Sequence, residues 1–408
     1  MNPYLITSVL FLILAGFAAL DSALTSFQIL PWFNGLRWLR VHLITLGALT
    51  EALFGVLPVL AAKRATLKEF QPRWDIWLML TMGLLTLLVG IPLMNYVLVV
   101  TGGTLIFIAT LLLIIQLRRM APSIHAPGEQ AGAGRPYYLV GLGYFLLGIF
   151  LGSGFWFGWG DALAMANPLE VHIHTNIWGF MSLVFAGLII DLYPRWTGRE
   201  LAWPGSVRPI FWMMMFGALA AVLGPWLAVN PLMALGVIIH QVATAWLVVN
   251  MIKPLRGAAV AQQPGIWHVI TAYAWQFVIV LATPLIVILN PGFSLAGVEQ
   301  TAPQVLIYSW MLQFGYAVIP YLLRRAFSPK QEAELGGSWF SLAAAHIGGI
   351  FLAASIALSG QAELMLGIAY LWWFVSLLPI ARQLLHILNA RQAVQQEEKP
   401  SKPHPTYK

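Results

Sequence analysis

The chain alternates between long apolar runs and short polar or Pro/Gly-containing breaks. About twenty apolar residues in helical form span a bilayer core. Twelve runs meet that length, at about 4–30, 36–62, 74–96, 97–117, 137–158, 171–193, 209–228, 231–252, 265–290, 303–324, 338–358 and 363–388. Pro92, Pro209, Pro231, Pro264, Pro303 and the pair Gly336–Gly337 mark several of the breaks, as expected of the residues that interrupt helices. The pattern predicts an all-α polytopic membrane protein whose residues 1–390 form one transmembrane helical domain. Residues 391–408 are a polar, Pro- and Lys-containing tail expected to be disordered. The first run lacks a basic flank and a small-residue cleavage site, so it is expected to be a retained helix rather than a signal peptide.

Charge tests the count. The breaks after even-numbered runs, together with the tail, hold 20 of the 22 Lys and Arg residues, and the opposite side holds only Arg37 and Arg40. A missed or invented helix would scramble that alternation. By the positive-inside rule both termini are cytoplasmic, and the expected location is the cell inner (cytoplasmic) membrane. Composition agrees: 59% of residues are hydrophobic and 9% charged, against about 25% charged in a soluble domain. The net charge of +7 is absorbed by the topology, and no nucleic-acid partner is implied. Lipid is the expected surrounding partner. Cysteine is absent, which excludes disulfides, thiolate metal sites and thioether-attached haem. Metal chemistry here must use histidine, carboxylate, methionine or backbone oxygen.

The histidines then become the main chemical signal. At about 1.5 Å per residue, His42, His172 and His174 lie in the first turns of the second and sixth runs, near the outer boundary. His240 lies roughly 13 Å down the eighth run, and His346 is also near the midplane. His268 and His386 sit at the inner interface, and His125 and His404 fall in breaks or the tail. Each alone is explained by an interfacial position or a helix–helix hydrogen bond. Ionisable groups at membrane depth normally face the bundle interior and have a partner. Several on different helices, mostly without a compensating anion, point to cofactor ligation. His172 and His174 are two residues apart and thus about 200° apart on a helix, so they cannot easily grip one metal. A zinc hydrolase would show HExxH, which is missing.

Two further features belong here. "VHLITLGALTEALFGVLP" and "IHTNIWGFMSLVFAGLII" share H-x4-G-x7-G through His42, Gly47, Gly55 and His174, Gly179, Gly187. Four runs later Gly315 keeps the second glycine, with Ile307 and Ala302 at the other two positions. This suggests three four-helix pseudo-repeats. Asp21 and Glu51 lie inside apolar runs. Glu51 is nine residues from His42, about 180° around the helix, and is expected to line a proton path or to sit as a neutral, hydrogen-bonded core acid.

Twelve helices with both termini inside, a threefold four-helix repeat and a histidine near the outer end of the second helix resemble subunit I of the haem–copper oxidase superfamily. The stretch "HIHTNIWGF…AGLIIDLYPRWTGREL" is also similar to the signature of the NnrS-type haem- and copper-containing membrane proteins linked to nitric oxide stress. The resemblance implies non-covalent haem b in the outer half of the membrane, copper as a second cofactor, and redox or gas-ligand chemistry with oxygen or nitric oxide. Electrons would come from a quinol or a redox partner protein. Cofactor ligands are then expected among His42, His174, His240 and His346, with His172 and His174 at a metal and Glu51 and Asp21 on a proton path. The sequence departs from the oxidases in three places. His172 and His174 are followed at four residues by Asn176 and Trp178 rather than tyrosine. The seventh run has no histidine. The tenth has no histidine, with Gln304, Tyr308 and Gln313 among its polar residues. Oxidase turnover is therefore not carried over from the resemblance. Two other outcomes stay open: a non-catalytic NnrS-like haem/copper protein, and a proton-coupled secondary transporter.

Overall fold

The computed structural model describes residues 2–31, 36–64, 71–120, 133–289, 295–327 and 332–397. Every regular element among them is helical. Among the described residues, eleven helices are long and apolar enough to cross a membrane: α1 (Pro3–Ser26), α2 (Leu36–Ala62), α4 (Tyr96–Arg119), α5 (Arg135–Phe157), α6 (Pro168–Thr197), α7 (Pro204–Trp226), α8 (Asn230–Leu255), α9 (Pro264–Ala282), α10 (Thr301–Phe327), α11 (Trp339–Ala357) and α12 (Ala362–Asn389). A shorter apolar helix, α3 (Trp74–Gly90), completes the order. The chain is a multi-pass membrane protein.

All twelve expected runs coincide with these helices, and the differences lie at the ends. Helix α3 stops at Gly90 because the chain turns through Met94, which has a positive φ of 52°. Asn95 then caps α4 by accepting from the Leu98 amide at 3.1 Å. At the other end, the helix that begins at Ala362 continues to Glu397. The first seven residues of the expected tail are thus helical, which suits their Ala, Gln, Arg and Glu content. His125, Lys330 and residues 398–408 lie outside the described residues.

Helices α2, α6 and α10 form the centre. Their apolar windows are 83%, 89% and 100% buried, against 33–61% for the other eight spans. A helix apolar all round belongs in such a position. Aromatic rings knit the three together. Phe185 of α6 stacks on Phe314 of α10 at 4.2 Å, and Phe145 of α5 stacks on Phe180 of α6 at 4.2 Å while meeting Phe54 of α2 edge-on. Around them, α3 packs on α4 and α7 on α8 as close hairpins. A Cβ on Gly83 would come within 2.9 Å of the Gly102 carbonyl, and one on Gly217 within 2.8 Å of the Gly236 carbonyl. Small residues let membrane helices approach this closely.

Each central helix also contains a π-helical segment: Leu43–Thr50 in α2, Thr175–Met181 in α6 and Leu306–Leu312 in α10. They begin at residues 43, 175 and 306, so successive segments are 132 and 131 positions apart. The residue that follows each segment is polar and fully buried: Glu51, Ser182 and Gln313. π-segments are rare and concentrate at functional sites. Here two of the three start immediately after a histidine, His42 and His174.

Candidate functional site

His42 sits one turn below Trp38 and stacks on its indole, with centroids 4.3 Å apart and planes 17° from parallel. Its Nδ1 lies 2.8 Å from the Trp38 carbonyl oxygen. A carbonyl only accepts, so Nδ1 carries the proton and Nε2 presents its lone pair. Among the described residues Nε2 has no hydrogen-bond partner. His42 also walls a cleft between α1, α2 and α3, together with Phe11, Trp38, Leu46, Leu84 and Leu87. The cleft has room for about one water-sized molecule. Gly47 is required there, because a Cβ would press 2.7 Å from the Phe11 ring.

His172 repeats this chemistry on α6. Its Nδ1 lies 3.0 Å from the Gly148 carbonyl of α5, closer than the Asn176 amide nitrogen at 3.4 Å; the carbonyl contact puts the proton on Nδ1 and leaves the lone pair on Nε2. Asn176 donates to the His172 carbonyl at 2.8 Å, and Phe155 meets the imidazole edge-on at 5.4 Å. Gly152 makes room, since a Cβ would lie 2.9 Å from the imidazole Cε1. A carbonyl-anchored Nδ1 with an open Nε2 is the arrangement of a metal-binding imidazole.

His174 differs. Its Nδ1 is buried without a hydrogen-bond partner, so nothing fixes its tautomer. The glycines behind it report helix packing: Gly179 lies under the Tyr144 ring, and a Cβ on Gly187 would meet Tyr138 at 2.6 Å. His240 is fully buried against Trp178, with ring centroids 5.2 Å apart. Thr244 Oγ1 is 3.4 Å from its Nδ1, and its Nε2 has no partner. His346 is fully engaged. Trp275 Nε1 donates to its Nδ1 at 3.1 Å, and its Nε2 lies 3.0 Å from Thr271 Oγ1. Because an indole N–H only donates, Nε2 carries the proton. Both nitrogens tie α9 to α11, and neither is open to a ligand. His268 likewise bonds Ser341 Oγ at 2.9 Å.

The acids stand apart from the histidine pair. Glu51 is fully buried; its Oε1 accepts from Thr81 Oγ1 at 2.7 Å, and Oε2 has no partner. Asp21 is half-buried on α1. Among the described residues no three His, Asp or Glu side chains converge in a group that could hold a metal ion. His42 and His172 therefore share one mode of anchoring, and His174, His240 and His346 stand in other surroundings.

Sequence reasoning missed Arg40. It is 6% exposed, bonds Gln304 Oε1 at 2.8 Å and lies over the Tyr370 ring at 4.3 Å. Its position on the side poor in Lys and Arg was the available signal. No protein-family model matches the chain, and no curated protein is significantly similar to it.

Proposed function

We propose that the protein is a divergent relative of haem–copper oxidase subunit I that holds a metal centre for redox or diatomic-gas chemistry near the outer ends of α2 and α6. The observation that carries this reading is the matched pair His42 and His172. Each has Nδ1 anchored on a backbone carbonyl and a free Nε2. In this reading the three π-segments mark three four-helix arcs. Their register pairs Val305, rather than Ala302, with His42 and His174. Both termini face the cytoplasm, and the membrane is the inner one.

Haem b, which the resemblance implies, is not supported by the space. Ligand pockets usually hold about 300–1,000 Å³. The cleft beside His42 has room for about one water-sized molecule, and the candidate glycines Gly47, Gly179 and Gly187 are already covered by Phe11, Tyr144 and Tyr138. The donor set suits copper better. Two neutral imidazoles with no carboxylate or thiolate favour copper among the common first-row ions. Copper bound to His42 and His172 would supply a one-electron couple and, with only two protein ligands, an open position for a small molecule. The chain's own contribution is to fix both tautomers and exclude bulk water.

The test is an optical spectrum with metal analysis on detergent-purified protein from copper- and haem-replete cells. Copper without a Soret band is expected. A metal-free, colourless preparation would remove the reading. Glu51 favours a second one, proton-coupled secondary transport, because a buried acid with an unpartnered oxygen suits proton exchange. Proton uptake coupled to solute flux in reconstituted vesicles, lost in Glu51→Gln, would select it.

A further inference from the structure

The Gly336–Gly337 break between α10 and α11 and the buried His268 play no part in the metal-site reading. The fold places them together. Residues 332–338 carry no regular structure, yet they are wedged as a strap between α9, α10 and α12. From α10, the Ala317 carbonyl accepts from the Gly336 N–H at 2.8 Å, and a Cβ on Gly336 would lie 2.5 Å from Pro320 Cγ. From α9, a Cβ on Gly265 would lie 2.5 Å from Leu335 Cβ. From α12, Gln383 holds both backbone groups of Gly337, accepting from its N–H at 3.0 Å and donating to its carbonyl at 3.2 Å. Gly337 has a φ of 97°, which glycine adopts without strain. A Cβ there would lie 2.4 Å from His268 Cδ2, so the strap backbone rests directly on the imidazole.

What the strap covers is polar. His268 and Ser341 are both fully buried. Ser341 Oγ donates to the Ser338 carbonyl at 2.9 Å, so its 2.9 Å contact with His268 Nε2 puts the imidazole proton on Nε2. His268 Nδ1 then keeps a lone pair with no partner among the described residues. On α10, Pro320 supplies no N–H, so the Tyr316 carbonyl lacks its helical donor. That carbonyl also faces the strap, 2.5 Å from where a Cβ on Gly336 would stand. Buried groups without partners cost free energy that water would recover. Irregular backbone at membrane depth persists where protein buries it or where it lines a water-filled cavity. The seated strap meets the first condition, and lifting it would meet the second.

We infer that residues 332–338 are a hinged gate, latched by Gln383, that closes a water-accessible mouth over His268 and Ser341. Gly336 and Gly337 supply the hinge, and two hydrogen bonds from one side chain supply the latch. The gate depends on neither the metal reading nor the transport reading, and its failure leaves both standing.

The chain has no cysteine, so one introduced thiol reports access without background. Ser341→Cys lies beneath the strap, and Ser182→Cys, at an equally buried site on α6, serves as the reference. Both full-length proteins are placed in nanodiscs and treated with a charged, membrane-impermeant thiosulfonate, and modification is followed by intact mass. Ser341→Cys is expected to react slowly, and Ser182→Cys not to react on the same timescale. Adding Gln383→Leu, which removes the latch, is expected to speed modification of Ser341→Cys about ten-fold, the effect of losing two modest hydrogen bonds. Ser182→Cys should stay unmodified. Because Ser341 itself contacts the strap, hydrogen exchange on the cysteine-free protein gives a second reading. Residues 332–338 are expected to exchange faster than the adjoining turns of α10 and α11, and faster again in Gln383→Leu. No acceleration by Gln383→Leu in either measurement overturns the latch. Equal acceleration at both thiols means general loosening and overturns the gate. A strap that exchanges as slowly as the helices, over an unreactive Ser341→Cys, is a fixed plug and overturns it too.

Discussion

His346 and His42 show why residue type alone does not assign a ligand. Both are histidines on membrane-spanning helices, but His346 spends both nitrogens on Trp275 and Thr271, whereas His42 spends one. His346→Ala is therefore expected to leave copper content unchanged and to lower stability by about 1–3 kcal/mol, the cost of stranding buried partners. Thermal unfolding in detergent with parallel metal analysis checks this; loss of copper would contradict the separation of the two sites. Glu51→Gln makes a complementary test. The amide oxygen can still accept from Thr81, and that contact does not involve His42. Copper content is expected to persist, with any proton-coupled turnover slowed. A metal-depleted Glu51→Gln protein would tie Glu51 to the metal centre and contradict the separation. The sequence exposed these residues as titratable groups in apolar runs. It did not reveal their partners, because Trp275 is 71 positions from His346 and Gly148 is 24 from His172. The repeat that aligned His174 with His42 rests on contacts of the same kind: Gly179 and Gly187 pack against Tyr144 and Tyr138 of α5.

At the scale of elements, the bilayer makes helix positions legible, because every spanning backbone must satisfy its hydrogen bonds internally. The twelve apolar runs translate into twelve helices for that reason. The π-segments were not legible. Shifting a hydrogen bond from i−4 to i−5 changes no composition, and "LITLGALT" reads like any apolar turn. Helix pairing was partly legible through glycine. Gly217 and Gly236 bring two backbones together, so Gly217→Ile is expected to prevent α7 and α8 from packing and to eliminate folded protein. A Cβ added at Gly143 would meet nothing within 4 Å, so Gly143→Ala is expected to stabilise by roughly 0.5–1 kcal/mol through helix propensity alone. Yield of monodisperse protein and its melting temperature distinguish the two. Equal behaviour would undermine the close-approach argument.

For the whole molecule, the positive-inside distribution and the order of helices make one topological claim. A reporter fused after Lys330 should read cytoplasmic, and one inserted near Gly297 should read external, since α10 lies between them. Both on one side would rule out the twelve-pass arrangement. The central claim is that His42 and His172 hold a copper centre at the outer end of this bundle. Copper content of the purified His42→Ala, His172→Ala and His174→Ala proteins tests it most directly. The account predicts copper lost from the first two and retained in the third. Equal, full occupancy in all three would contradict it and return the pair to ordinary interfacial histidines.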